Sequence, residues 1–159
     1  MIIDNQLVLA WKQAVTANAA SAATTNTDGT YNAMGIIDLG IARNIGTGTD
    51  KLYLVVDCTT AMTDGGSDST VTPSLRTSAT QSSNALTGSP TTLLTGSAFA
   101  ALAAAGTRQV YALPSASYLR YIDVYFTVAN GSLTTGSFSA YIVIDVDQQS
   151  YYAEGFNPN

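Results

Sequence analysis

Residues 119–128 read Leu119-Arg120-Tyr121-Ile122-Asp123-Val124-Tyr125-Phe126-Thr127-Val128, and residues 138–146 read Phe138-Ser139-Ala140-Tyr141-Ile142-Val143-Ile144-Asp145-Val146. In the first stretch Ile122, Val124, Phe126 and Val128 alternate with Tyr121, Asp123, Tyr125 and Thr127. In the second, Phe138, Ala140, Ile142, Ile144 and Val146 alternate with Ser139, Tyr141, Val143 and Asp145. An apolar residue at every second position marks a strand with one face on a core. Between the two stretches, Asn130-Gly131 tolerates positive φ and marks a turn. The pattern predicts two strands paired as an antiparallel hairpin.

The same reading extends towards the N-terminus. Residues 51–58 predict a third strand, with Leu52, Leu54, Val56 and Cys58 on one face. Residues 69–76 predict a fourth, with Val71 and Leu75 inward. Pro73 lies on that same face and has no N–H to give to a ladder, which predicts an edge strand. Shorter candidates are 36–39, 91–95 and 108–113. Clusters such as Asp64-Gly65-Gly66 and Gly88-Ser89-Pro90 separate them. Residues 98–105 are alanine-rich and fit a short helical turn closed by Gly106. Residues 13–26 have no apolar stripe and read as extended or irregular; residues 24–35 read as a loop. Many short strands punctuated by Gly, Ser, Thr, Asn and Pro predict an all-β sandwich or jelly roll. No repeat or linker divides the chain, so residues 1–159 read as a single domain.

Composition narrows the function. Only 11% of the residues are charged and the net charge is −5, against about 25% charged residues in an average soluble domain. Small neutral side chains take the place of charge, and these lose little rotamer entropy when an interface buries them. Lys12, Lys51, Arg43, Arg76, Arg108 and Arg120 are scattered and form no patch able to neutralise a run of phosphates, which argues against nucleic acid as a partner. The apolar runs are too short for a membrane span, and the N-terminus lacks the pattern of a signal peptide. Cys58 is the single cysteine. It permits no intrachain disulfide, fits a reducing cytoplasm, and reads as a small buried hydrophobe.

Most catalytic chemistry lacks its residues. The chain has no histidine, which removes the Ser-His-Asp triad and most transition-metal sites. One cysteine cannot build a structural zinc site. There is no Gly-rich phosphate loop of the Walker type, and Gly46-Thr47-Gly48 reads as a turn. Asp123 and Asp145 fall on adjacent predicted strands as a conceivable glycosidase pair, but read more simply as aspartates on a polar face. Asp64-Gly65-Gly66-Ser67-Asp68 offers two carboxylates and no bidentate glutamate, so it reads as a turn rather than a calcium loop. Asn130-Gly131-Ser132 reads as turn chemistry. The expectation is a protein with no enzyme activity, no cofactor and no metal.

Aromatic residues remain. Nine tyrosines stand beside four phenylalanines and one tryptophan. Tyr121, Tyr125 and Tyr141 fall on the faces opposite the apolar ones, while Tyr151, Tyr152 and Phe156 cluster near the C-terminus. Tyrosine joins an apolar body to a polar tip and is enriched at interfaces. The strand tyrosines fit either an interface or a second core. The C-terminal group, with Ile2 and Ile3 at the other end, fits arms that dock on a neighbour. The arms are about 1–9 and about 151–159.

Several stretches carry a resemblance. They include Met1-Ile2-Ile3-Asp4, Ile37-Asp38-Leu39-Gly40, Leu52-Tyr53-Leu54-Val55-Val56, Ser89-Pro90-Thr91-Thr92-Leu93-Leu94, Tyr118-Leu119-Arg120-Tyr121, Gly136-Ser137-Phe138-Ser139-Ala140 and Tyr152-Ala153-Glu154-Gly155-Phe156. In this order and spacing the chain resembles the jelly-roll cement (decoration) proteins of tailed-phage capsids, of the Bordetella-phage type. Residues 18–35 are longer than that pattern. The resemblance implies a jelly-roll β-sandwich that forms a homo-oligomer, dimer or trimer, on the outer capsid surface. It implies contact with neighbouring major capsid proteins, assembly in the host cytoplasm, and no enzyme activity or cofactor. A carbohydrate-binding or adhesive decoration module on the virion is the alternative, because jelly rolls also bind sugars and exposed tyrosines stack on sugar rings.

Overall fold

The computed structural model describes residues 4–24, 33–46 and 51–144. A 3-10 turn, Asn5–Leu7, is capped by the Asp4 carboxylate, which accepts from the Gln6 N–H. The strands then run β1 (Val8–Ala14), β2 (Ala19–Ala20), β3 (Ala23–Thr24), β4 (Ala33–Met34), β5 (Ile37–Asp38), β6 (Tyr53–Thr63) and β7 (Thr70–Ser78). They continue as β8 (Thr80–Ser82), β9 (Ala85–Thr87), β10 (Thr91–Thr95), β11 (Arg108–Ala112), β12 (Tyr121–Ala129) and β13 (Thr135–Val143).

One sheet has the order β1-β13-β6-β11 and the other the order β10-β7-β12-β2. β5 also pairs with β12, beyond β2. Taken together, β2 and β5 are two pieces of one edge strand. The long strands then pass back and forth between the sheets, except that β7 and β10 pair within one, in the double Greek-key wrap of a jelly roll. The two inner faces close one core, as an all-β sandwich requires.

The alternation in 119–128 and 138–146 places these strands correctly but not their pairing. β12 pairs with β7, and β13 pairs with β1 and β6, so the expected hairpin does not form. Asn130 (φ 64°) and Gly131 (φ 118°) do make the turn, but it carries the chain across to the opposite sheet. Both apolar faces then look into the same core. Phe138 lies 5.4 Å from Phe126 and 5.1 Å from Phe99, centroid to centroid, the latter pair edge-on. Ile122, Val124, Phe126, Phe138, Ala140 and Ile142 are all buried there, with Leu54, Val56 and Cys58 from β6. Ile144, expected inward, lies past the end of β13 and is 60% exposed. Val146 lies outside the described residues.

Pro73 is a second correction. β7 is an interior strand between β10 and β12. The Pro73 carbonyl accepts from Gly96 at 2.8 Å, just past the end of β10. A residue's N and C=O leave a strand on the same flank, so the missing N–H falls where that ladder has already stopped. Residues 98–105 form hydrogen-bonded turns and no helix. Their backbone groups are committed elsewhere: Phe99 donates to Val71, and Ala103 accepts from Met62.

The extra length in 18–35 is an excursion from the β2–β5 edge through the β3–β4 hairpin. Ser21 seals the departure point. Its N–H donates to Val124 O (2.6 Å), its hydroxyl donates to Gly35 O, and it accepts from the Val124 N–H (3.1 Å). β5 is held on β12 by Arg120, whose guanidinium grips both Asp38 carboxylate oxygens at 2.9 and 2.8 Å. With the Gly40 N–H, that guanidinium lowers the Asp38 carboxyl from 3.8 to about 2.

Two outcomes follow from this packing. Phe138→Ala should lower unfolding stability by about 3–5 kcal/mol, because the aromatic contacts of both sheets meet at that ring; the urea midpoint measures it. Asp38 binds its proton less readily when folded, so its stabilisation is present above pH 3.8 and is lost as the pH falls towards about 2. The melting difference between the wild type and Asp38→Asn should therefore be modest near neutrality, as for an exposed pair, and vanish at the acid end of that window.

Candidate interface

The outward faces of the two sheets differ in character. On the second sheet, Tyr121, Asp123 and Tyr125 project from β12, opposite Ser78, Arg76 and Ser74 of β7. Asp123 was expected on a solvated polar face, yet it is fully buried. Arg76 meets it with two hydrogen bonds, at 3.0 and 2.5 Å. Burial is the larger influence and pushes the Asp123 carboxyl above its ordinary value, against the pull of the guanidinium. A carboxylate clamped in this way holds two strands together and is closed to a substrate. Its imagined partner, Asp145, lies outside the described residues.

Tyr121 and Tyr125 are half-buried. The Arg76 guanidinium lies 4.1 Å over the Tyr125 ring, and that of Arg120 lies 4.9 Å over Tyr121. Each ring therefore already has a guanidinium stacked on one face.

Tyr141 is different. It projects from the outer face of the first sheet but is only 1% exposed. With Val8, Val55 and Val143 it forms a second apolar cluster, flanked by Trp11 and Tyr53. Its hydroxyl donates to Asp57 at 2.7 Å and lies 3.3 Å from Arg108, which itself grips Asp57 at 2.6 and 3.1 Å. The amphipathic face of β13 is thus a second core, and Tyr141 offers no surface to a partner. Ile2, Ile3, Tyr151, Tyr152 and Phe156 lie outside the described residues. At the N-terminal side, Leu9 is fully buried in the sandwich core and Val8 in the outer cluster with Tyr141.

Sequence reasoning missed the exposed apolar side chains. Among the described residues these are Met34, Ile41, Leu102, Val110 and Ile144, exposed by 40% or more. Ile144 belongs to the periodic run 138–146, whose alternation predicts it inward, whereas the other four belong to no long periodic run and so carry no pattern that marks them. Leu102 also takes a positive φ of 58° at a loop tip.

The remaining candidates are ordinary structure. Asp64 caps its own turn, accepting from the Ser69 N–H at 2.6 Å and the Asp68 N–H at 3.2 Å. The Ser69 side chain lowers its carboxyl most, and the backbone N–H groups of Ser69, Ser67 and Asp68 lower it further against the opposing effect of burial. Among the described residues, no group of three or more Cys, Asp or Glu is placed to hold a metal ion. Cys58 lies in the core, donates to Thr60 O at 3.2 Å, and has its thiol pushed up by burial. An open groove of about 400 Å³ lined by Ala17, Asn18, Val128, Gly131 and Ser132 has no titratable side chain. Among the described residues no helix is long and apolar enough to cross a membrane.

Three of the four arginines, Arg76, Arg108 and Arg120, are thus engaged in paired contacts with Asp123, Asp57 and Asp38. Among the described residues the surface is dominated by small polar side chains, with scattered single charges such as Arg43, Lys51 and Asp68 and a few isolated apolar groups.

No curated protein sequence matches the chain. The family model Bbp16 matches residues 9–142, a span that begins in β1, ends in β13 and so takes in both sheets. The family's name points to a Bordetella phage protein. The chain belongs to the Bbp16 family.

Proposed function

We propose that this protein is a structural virion protein that binds the outer surface of a phage capsid and cements neighbouring major capsid proteins, without catalysing a reaction. The observation that carries the reading is a phage-protein family match across both sheets of a jelly roll. The surface chemistry supports it. Arginines engaged with aspartates within the fold are poorly placed to recruit phosphates, and a neutral skin of Thr, Ser, Ala and Gly is easily desolvated.

The mechanism is mechanical. Packaged DNA pushes outward on the shell. A protein bridging two shell subunits adds contact area that must part before the shell opens. A standard interface buries about 1,600 Å² in total. Copies repeated by capsid symmetry act together, because one bound end raises the effective concentration of the next. With so few charges, recognition falls to backbone, small polar groups and tyrosine hydroxyl ends.

Purified chain added to heads that lack it should co-sediment stoichiometrically and raise the temperature at which the heads release DNA. Failure to bind its own heads would overturn the proposal. Binding with no rise in release temperature would refute cementing and favour an adhesive or carbohydrate-binding decoration, to be followed by a glycan-binding screen.

A further inference from the structure

Three arginines are tied to aspartates of the fold, and the fourth is not. Arg43 and Lys51 are both exposed, and among the described residues neither has a carboxylate partner. Both stand at the same end of the sandwich. β6 and β11 meet there, with Leu113 donating to the carbonyl of Leu52, next to Lys51, at 2.9 Å. β13 ends beside them, Val143 lying opposite Tyr53, and Ile144 follows directly. The loop after β5 comes in from the second sheet. Arg43 exchanges two backbone hydrogen bonds with Tyr118, at 2.9 and 3.1 Å. Asn44 donates to Ser115 at 3.3 Å, and Gly46 approaches Pro114 so closely that a side-chain carbon would overlap its carbonyl. Residues 40–46, 51–52, 113–118 and 144 therefore form one band across the end of both sheets.

Two features set that band apart. It carries the two most exposed large apolar side chains among the described residues, Ile41 at 65% and Ile144 at 60%. A cation stands near each: Arg43 two residues from Ile41, and Lys51 just before the strand that pairs with β13. The band is also anchored. Tyr118 is fully buried, and its hydroxyl donates to Pro114 O at 2.8 Å, so the loop backing Arg43 is held from the core. A surface ordered in advance gives up little freedom on binding. The other end of the sandwich has the opposite character. Its β6–β7 turn carries Asp64 and Asp68 and no lysine or arginine.

We infer that the band of Ile41, Arg43, Lys51 and Ile144 seats the chain on the shell, against a surface of the major capsid protein with an apolar centre and carboxylates at its rim. Removing an exposed isoleucine from water favours the contact, as does bringing a guanidinium to a carboxylate. The same cations reject basic surfaces, which gives the contact its selectivity. The acidic β6–β7 turn then faces away from the shell. The inference rests on the capsid reading and adds which end of the molecule makes the contact, and with what chemistry.

Variants added to heads that lack the protein test it. Ile41→Asp and Arg43→Glu should each lower head binding by about tenfold or more. Rising salt should weaken the wild type more than Arg43→Glu. Leu102→Asp makes the same apolar-to-acid change in the loop that Met62 contacts near the far end of β6, and it should bind as the wild type does. Thermal melts check folding, and Arg43→Ala decides the matter if Arg43→Glu fails to fold. Wild-type binding by either band variant, or an equal loss with Leu102→Asp, would overturn the inference and leave the capsid reading in place. A wild type that ignores heads would overturn the capsid reading and the inference with it. A band variant that loses heads and also changes its mass in sedimentation would place the band between copies of the chain and overturn the inference.

Discussion

The structure depends on the contact across the core among Phe138, Phe126 and Phe99. Phe138 projects from one sheet and Phe126 from the other, and Phe99 enters from the connection between β10 and β11. Fixing that contact requires β12 and β13 to face each other rather than lie side by side. The turn at Asn130-Gly131 must then cross between sheets. The two sheets are held in apposition by burial of about every second side chain of their longest strands, the non-directional force that dominates folding. The hydrogen-bonded ladders fix which strands lie together within each sheet.

Charge is used in this molecule as a fastening. Arg76–Asp123 ties β7 to β12, Arg120–Asp38 ties β5 to β12, and Arg108–Asp57 ties β11 to β6. Only the first pair is well shielded from solvent, so it is the one whose disruption would leave a buried charge uncompensated. The other two are exposed and act mainly to fix register, each worth little on its own. With three of the four arginines tied to aspartates of the same fold, few cations among the described residues are left for long-range steering.

The strands were legible because period two is written directly into 119–128, 138–146 and 51–58. Their sheet assignment was not, because two strands facing across a core and two strands side by side carry the same alternation. Pro73 misled for a related reason. A proline excludes one ladder bond, and the sequence does not say that the neighbouring strand has already ended there. Asp123 and Tyr141 sat on apparently polar faces, but their partners, Arg76 and the Asp57–Arg108 pair, come from strands distant in sequence. The unusual length of 18–35 was visible, whereas its placement as an excursion stitched by Ser21 was not. Of the candidate interface residues, Tyr121 and Tyr125 stand at the surface and Tyr141 does not. Ile41 escaped notice because it stands past a two-residue strand, in no long periodic run.

A density map of intact phage heads at a resolution that traces strands tests the central claim most directly. The account predicts jelly rolls on the outer surface, each bridging adjacent major capsid subunits. Jelly rolls found inside the shell, in the tail, or each seated on a single capsid subunit would contradict it.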